Sequence, residues 1–356
     1  MDYAELDEHL PFLLRRENVA RYTDGVVVIG DRRKYPFEEA FVTCSSVEEV
    51  ARAIEEMVTQ GGGPSVAAVY AMVMAARDAE GLSTDMAWAA LQSARQRLVD
   101  TRPTNTSLAR RLARALEVAE SALKAGDSVE AALLGWIEAF RDRYYQRAAI
   151  MGRYGADLIE DGDGVLTMCF AETAFILGMS FANSEGKDIR AFTPETRPYL
   201  QGARLTAPSL HELGVPVQII TDNMPAYVMS QGKIQKYFTA ADLVTLDGHV
   251  VNKIGTFQNA IAAHHHHIPF FVYAYAPDPG RPDRASVVVE ERDPREIRAC
   301  RGTPTTIDAI DAYYPAFDIT PPHMVSAIIT PHGILNPYDL PRYYANGSRN
   351  QAEEVA

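Results

Sequence analysis

From residue 165 onward, short apolar runs recur at close intervals with helical stretches between them. VLTMCF (165–170), DIRAFT (188–193), VPVQIIT (215–221), DLVTL (242–246), IPFFVYAY (268–275) and SVVVEE (286–291) read as strands. Leu200–Leu213 and Ala226–Ser230 read as helices. Parallel neighbours need a crossover long enough to hold a helix, so this alternation predicts βαβ units and a doubly wound parallel sheet. Ligands of such sheets sit beyond the carboxyl ends of the strands. Cys169, Glu195, Asp222 and Asp242 all fall near predicted strand ends or the turns beside them.

The first half has a different period. Gly25–Gly30 (GVVVIG) reads as a strand, and from Ser46 the pattern turns helical. SSVEEVARAIEEMV opens with a Ser–Ser cap and glutamates in its first turn. Helices are expected at Thr84–Asp100, Thr106–Ala125 and Val129–Ile159. The expected organisation is a mostly helical N-terminal domain over 1–143, with a small strand element, and an α/β domain over 144–356.

Composition narrows the class. The chain has 356 residues, 47% of them hydrophobic and 23% charged, the balance of a globular protein with a core. No apolar run is long enough to span a bilayer, and the start mixes acids and bases without a secretory h-region. A cytoplasmic protein is expected. A net charge of −13 argues against a nucleic-acid surface. The three cysteines, Cys44, Cys169 and Cys300, are too few for a disulfide framework. No CxxC or HExxH spacing occurs, so no metal site is expected.

Several segments carry candidate chemistry, and each also has an ordinary reading. The Gly61–Gly62–Gly63 turn precedes a helix and could cradle phosphate; it also reads as an interhelical turn. Arg102 precedes a helix with Pro103 in its first turn, suited to a forked phosphate contact or to the surface. Cys169 suits a base or nucleophile if its thiol is activated, and otherwise a buried thiol. Asp242 opens an apolar run, the setting of a carboxyl with a raised pKa or of a plain turn aspartate. Asn252 and Lys253 put an amide and an ammonium on one short turn.

Taken together these segments resemble one family, the methylthioribose-1-phosphate isomerases and their relatives. The relatives include ribose-1,5-bisphosphate isomerases, 5-deoxyribose-1-phosphate isomerases and non-enzymatic regulatory subunits of a translation-initiation exchange factor. The matching text runs RPT (102–104), MGRYGADLI (151–159), VLTMC (165–169), ETRPYLQGARLTA (195–207), VPVQIITDNMPAYVM (215–229), AADLVTLDGHVVNKIGT (240–256), IPFFV (268–272) and PAFDITPPHMVSAIITPHGI (315–334). It covers nearly the whole chain. The resemblance implies a helical N-terminal domain, a Rossmann-like catalytic domain and a homodimer. It implies chemistry at Cys169 and Asp242, no cofactor, and a sugar phosphate bound by Gly61, Gly62, Gly63, Arg102, Gln201, Asn252 and Lys253.

The chain departs from the usual isomerase pattern in places. It has QGGGPSVA where RGAPAIG is usual, MCFAE where HCNAG is usual, and Ala240-Ala241-Asp242-Leu243 where GADR is usual. The implied reaction turns a ribose 1-phosphate-type aldose, best matched by 5-methylthioribose 1-phosphate, into the ribulose 1-phosphate of methionine salvage. Asp242 is its general acid, and Cys169 moves a proton or guides a hydride at C2. The bisphosphate and 5-deoxy substrates are alternatives within the class. A second cationic site for a bisphosphate could come from Arg15, Arg16 and Arg21. A non-catalytic sensor of sugar phosphate or nucleotide is the alternative outside it. A nicotinamide dehydrogenase lacks the expected GxGxxG.

Overall fold

A helix that is apolar on every side must lie at the centre of its unit. Gly63–Asp78 (GPSVAAVYAMVMAARD) is such a helix, α3, and Ala67 through Ala76 are all buried. The computed structural model describes residues 6–102 and 106–344, and α3 forms the heart of the compact unit over residues 12–146. A single turn, α1 (Arg16–Val19), leads into an antiparallel sheet of β1 (Ala20–Thr23), β2 (Val26–Gly30) and β3 (Phe41–Cys44). α3 packs on β1 and β2, and on α2 (Val47–Glu55), α4 (Thr84–Asp100) and α5 (Thr106–Ala125). α2 is capped by Ser46, whose Oγ accepts the Glu49 N–H at 3.2 Å, while the Glu49 carboxylate accepts the N–H of the preceding Ser45 at 2.7 Å. α6 (Val129–Leu158) follows, and the boundary between the two units falls within it.

The other unit comprises residues from 147 onward together with residues 6–11. It is built on a seven-stranded sheet of β4 (Gly164–Leu166), β5 (Arg190–Pro194), β6 (Val217–Ile220), β7 (Lys236–Ala240), β10 (Phe270–Tyr273), β14 (Ala327–Thr330) and β15 (Gly333–Leu335). The spatial order is β15-β14-β10-β7-β4-β5-β6, and every pairing is parallel except β14 with β15. Helices α7 (Glu172–Ser184), α8 (Ala207–Glu212), α9 (Pro225–Ser230) and α10 (Thr256–His265) supply crossovers. This is the α/β, Rossmann-like, doubly wound plan that the strand–helix alternation predicts. The chain lays down β4, adds β5 and β6 on one side, then returns to add β7, β10 and β14 on the other. The direction of winding therefore reverses between β4 and β7.

Five local readings need correction. The first strand stops at Leu166, so Cys169 lies three residues beyond it rather than at its end. β7 was not expected: its KYFTA sequence carries a lysine and a threonine, yet Tyr237, Phe238 and Thr239 are fully buried between β4 and β10. SVVVEE forms no strand. Val288 is 89% exposed, and only an isolated bridge joins Glu291 to Pro315. A β-branched run becomes a strand only where a neighbour takes its N–H and C=O groups. DLVTL contributes only β8 (Leu243–Val244), and this belongs to a separate antiparallel sheet with β9 (Val250–Lys253) and β13 (Phe317–Thr320). Asn252 and Lys253 thus end a strand rather than occupy a turn.

Tyr237 of β7 and Phe270 of β10 are register partners with rings stacked at 4.2 Å, both essentially inaccessible. Phe270→Ala should cost about 3–5 kcal/mol, the usual result of emptying an aromatic site in a packed core. Urea unfolding followed by far-ultraviolet circular dichroism measures it, and a loss below about 1 kcal/mol contradicts this packing.

Candidate active site

The loops after β4, β5, β6 and β7 carry Cys169, Glu195, Asp222 and Asp242, each just past the carboxyl end of its strand. Cys169 and Asp242 follow β4 and β7, the two parallel neighbours between which the winding reverses. Loops leaving such a pair diverge to opposite sides of the sheet and open a crevice for ligand.

The Cys169 loop is held tightly. Cys169 itself has φ +64°, and Glu172, at the start of α7, has φ +54°. Such left-handed backbone is costly away from glycine and persists where the surroundings fix it. The surroundings here are two threonines. The Cys169 N–H donates to Thr196 Oγ1 at 3.2 Å, and Thr206 Oγ1 donates to the Cys169 carbonyl at 2.6 Å. Thr196 is fixed in turn by Asp222, whose carboxylate accepts the N–H groups of Thr196 and Arg197 at 2.7 and 2.8 Å. Thr206 closes a π-helical turn over Gly202–Thr206, a wider turn that often marks functional positions. Gly202 is obligatory there, since a Cβ would lie 1.8 Å from the Pro194 carbonyl oxygen.

Gln201 enters this turn. Its Oε1 is buried and has no hydrogen-bond partner among the described residues. An unsatisfied buried acceptor is expensive, and a ligand hydroxyl would satisfy it.

Lys253 ends β9 and is 3% exposed. Its Nζ donates to the Tyr314 hydroxyl at 2.6 Å and lies 5.6 Å from the centre of the Tyr199 ring. Asn252 precedes it on the strand, where successive side chains leave on opposite faces. The Asn252 Nδ2 donates to Thr256 Oγ1 at 3.0 Å, at the opening of α10. Asp318, opposite Asn252 in register, caps the same helix by accepting the Gly255 and Phe257 N–H groups at 2.7 and 3.1 Å. Gly255 has φ +101°, and a Cβ there would meet Met168 Cε at 2.7 Å.

The charges of the crevice act on one another. Burial, opposed by Lys253 and reinforced by Asp242, pushes the Cys169 thiol up to about 12. Burial raises Asp242 from 3.8 to about 6; Arg292 and Lys253 pull it down, while Glu172 and Glu290 push it up. Asp242 itself is solvent-exposed. Burial lowers Lys253 from 10.5 to about 8, with Cys169 and Asp242 among the neighbours that oppose the loss of its charge. Cys169, Asp242 and Lys253 therefore form one electrostatic unit.

The remaining predicted residues belong to the 12–146 unit. Gly61 has φ +62°, and Gly62 and Gly63 start α3. Arg102 lies just past α4, and its guanidinium donates to the Ile54 carbonyl at 2.9 Å and contacts Met57 Sδ. It is thereby brought beside the segment that leads into the glycine turn. Pro103 and Thr104 of the RPT motif lie outside the described residues. Of the N-terminal arginines, Arg16 pairs with Asp142, and Arg21 donates to the Glu17 carbonyl at 2.9 Å.

Sequence reasoning passed over Tyr199, Glu290, Arg292 and Tyr314. Tyr199 stands inside the ETRPYLQGARLTA block, Glu290 sits in the run that reads as a strand, and Arg292 directly follows that run. Their signal was an acid–base pair beside apolar residues, which is also how a solvated loop looks.

Cys169, Asp242 and Lys253 are thus electrostatic neighbours in an α/β protein, the first two at the switch point of its parallel sheet. Comparison with known proteins narrows this. The initiation factor 2 subunit family model matches residues 62–337. The methylthioribose-1-phosphate isomerase of Syntrophotalea carbinolica is 39% identical over 330 residues, 88% of this chain and 94% of the relative. A putative methylthioribose-1-phosphate isomerase of Aeropyrum pernix is 37% identical over 335 residues, 89% of this chain and 90% of the relative. Among solved structures, the 5-methylthioribose 1-phosphate isomerase of Pyrococcus horikoshii superposes with a TM-score of 0.82 at 29% identity, covering 93% of this chain and 95% of that one. The translation initiation factor eIF-2B subunit delta of A. fulgidus superposes with a TM-score of 0.78 at 34% identity, covering 93% and 98%. The chain belongs to the initiation factor 2 subunit family that includes the methylthioribose-1-phosphate isomerases. Among the described residues no helix is long and apolar enough to cross a membrane.

A carboxyl raised above its ordinary value binds its proton more tightly in the fold than in the unfolded chain. Ionised Asp242 therefore subtracts stability, by nothing well below 3.8 and in full above about 6. Asp242→Asn should raise the thermal midpoint at neutral pH, and the gain should shrink steadily as the pH is lowered through that window. An unchanged or lower midpoint at neutral pH contradicts the strained carboxylate.

Proposed function

We propose that the chain is an aldose–ketose isomerase that converts 5-methylthioribose 1-phosphate to 5-methylthioribulose 1-phosphate, a step of methionine salvage. The observation that carries this reading is the convergence of Cys169, Asp242 and Lys253 at the β4–β7 reversal. The names of relatives at 37–39% identity support the substrate. Lys253 holds the phosphate, and Gln201 and Asn252 orient hydroxyls. The family motif gives Arg102 and the Gly61–Gly63 turn a share in phosphate binding. The working unit is read as a homodimer.

A sugar phosphorylated on O1 is locked as a ring and has no free aldehyde, so the ring must open first. Protonated Asp242 donates to the ring oxygen as its bond to C1 breaks, leaving C1 electron-poor. A carboxyl near 6 suits this task, being close enough to neutrality both to give its proton and to recover one. Hydride then migrates from C2 to C1, and the C2 hydroxyl releases its proton to the Asp242 carboxylate as the ketone forms. Atoms and charges balance, and the acid is regenerated. The alternative removes H2 as a proton and needs a thiolate base. The Cys169 thiol, pushed up to about 12, stays neutral at physiological pH, which favours the hydride route with Cys169 packed against C2.

Turnover of 5-methylthioribose 1-phosphate should be detected without added cofactor and should exceed that of 5-deoxyribose 1-phosphate, ribose 1-phosphate and ribose 1,5-bisphosphate. Cys169→Ser and Asp242→Asn should each lower kcat by at least about 100-fold with the fold intact. Binding without turnover of any of the four would favour the sensor reading instead. With the reaction run in D2O, the ketose should carry no solvent deuterium at C1. Deuterium there would establish proton transfer and require a thiolate.

A further inference from the structure

The excursion between β10 and β13 contains little regular structure, yet one of its side chains reaches the centre of the site. Arg292 is fixed at both ends. Its N–H donates to the Tyr314 carbonyl at 2.9 Å, and its Nε donates to Glu290 Oε1 at 2.7 Å. The Glu290 carbonyl in turn accepts the Ala316 N–H at 2.8 Å, and the Ala316 carbonyl accepts the Ile254 N–H at 3.0 Å. The strap is thus laced to the residue that follows Lys253.

The guanidinium lies 6.0 Å from the centre of the Tyr199 ring and 5.4 Å from that of Phe317. Tyr199 also packs near the Lys253 ammonium, and Tyr314 accepts its hydrogen bond. Two cations therefore share one aromatic wall. The arrangement costs repulsion, and a packing role alone would be met better by an uncharged side chain.

We propose that Arg292 is a positioning residue of the isomerase site, held by Glu290 and clamping Tyr199 and Tyr314 around Lys253 so that the ammonium faces the phosphate beside Asp242. The inference rests on the isomerase reading given above. It has an electrostatic corollary. Arg292 stands foremost among the charges that favour ionised Asp242, ahead of Lys253 and against Glu172 and Glu290. On Lys253 it acts with burial to disfavour the charge, against Cys169, Asp242 and Glu296. Removing one cation should move both groups in the same direction, upward.

The test is the pH profile of kcat/KM for Arg292→Met, which keeps an unbranched apolar stem, beside Arg292→Lys, which keeps the charge. In the wild type, kcat/KM should fall as Asp242 deprotonates near 6 and again as Lys253 deprotonates near 8. In Arg292→Met both breaks should move up by about one pH unit, the size expected for loss of a nearby charge. KM should rise more than kcat falls. Arg292→Lys should restore the break positions without restoring KM. A profile lowered in height with its breaks unmoved would reduce Arg292 to a structural role and overturn the proposal. If Arg292→Met does not fold, Glu290→Gln frees the guanidinium instead and must raise KM; an unchanged KM is equally fatal. Wild-type protein inert to every sugar phosphate would overturn the isomerase reading, a different result from an active enzyme with unmoved breaks.

Discussion

The parallel pairing of β4 with β7 is the constraint on which the rest depends. Parallel strands cannot be joined by a tight turn, so each crossover must leave the sheet, and successive crossovers stay on one face until the winding reverses. The reversal falls between these two strands. Their exit loops part, and the carboxyl-end groups of both face one gap. Cys169 and Asp242 lie far apart in sequence, and this register of Val165 with Lys236 and Leu166 with Tyr237 brings them together. Any account of the chemistry begins with that pairing, because no local motif could hold the two groups in place.

The gap is costly to maintain. A lysine that is 3% exposed, a carboxyl pushed toward neutrality and four non-glycine residues at positive φ (Cys169, Glu172, Thr196 and Leu200) all work against stability. Natural sites commonly hold such strain, supported by the structure around them. Here the support is identifiable: Thr196 and Thr206 clasp the Cys169 loop, Asp222 clasps Thr196, and Asp318 closes the first turn of α10 beside Met168. None of these side chains need touch substrate. Their hydrogen bonds take up groups that the unusual backbone would otherwise leave unpaired.

The legible and illegible parts of the sequence divide along physical lines. Helices α4 and α5 have the bounds read from the sequence, because a 3.6-residue period over four or five turns is a strong signal. Strand existence was weaker. SVVVEE has ideal strand composition and pairs only through an isolated bridge from Glu291 to Pro315, whereas KYFTA has a mixed composition and lies in the middle of the sheet. The difference is tertiary: strand propensity measures fit to a neighbour that the sequence does not display. The alternation alone put Cys169 near a strand end, but Asp242 read as opening DLVTL, because β7, the strand it follows, has too mixed a composition to be read as one. The Lys253–Tyr314–Arg292 assembly could not, since it joins three segments whose sequence separation hides their contact.

Fold alone leaves two kinds of protein open. The chain superposes almost equally well on an isomerase and on a translation initiation factor subunit, at TM-scores of 0.82 and 0.78. One scaffold carries both, so the decision passes to the site. A binding subunit needs only a recess and a few donors, and gains nothing from a carboxyl that destabilises its fold. It has no use for a neutral thiol held at a strained φ against that carboxyl. This chain keeps both, in one electrostatic unit with a buried ammonium. Groups driven from their ordinary protonation states in one crevice are what proton-transfer chemistry at neutral pH requires. That requirement supports the proposed isomerase reading, alongside relatives at 37–39% identity that are named as isomerases.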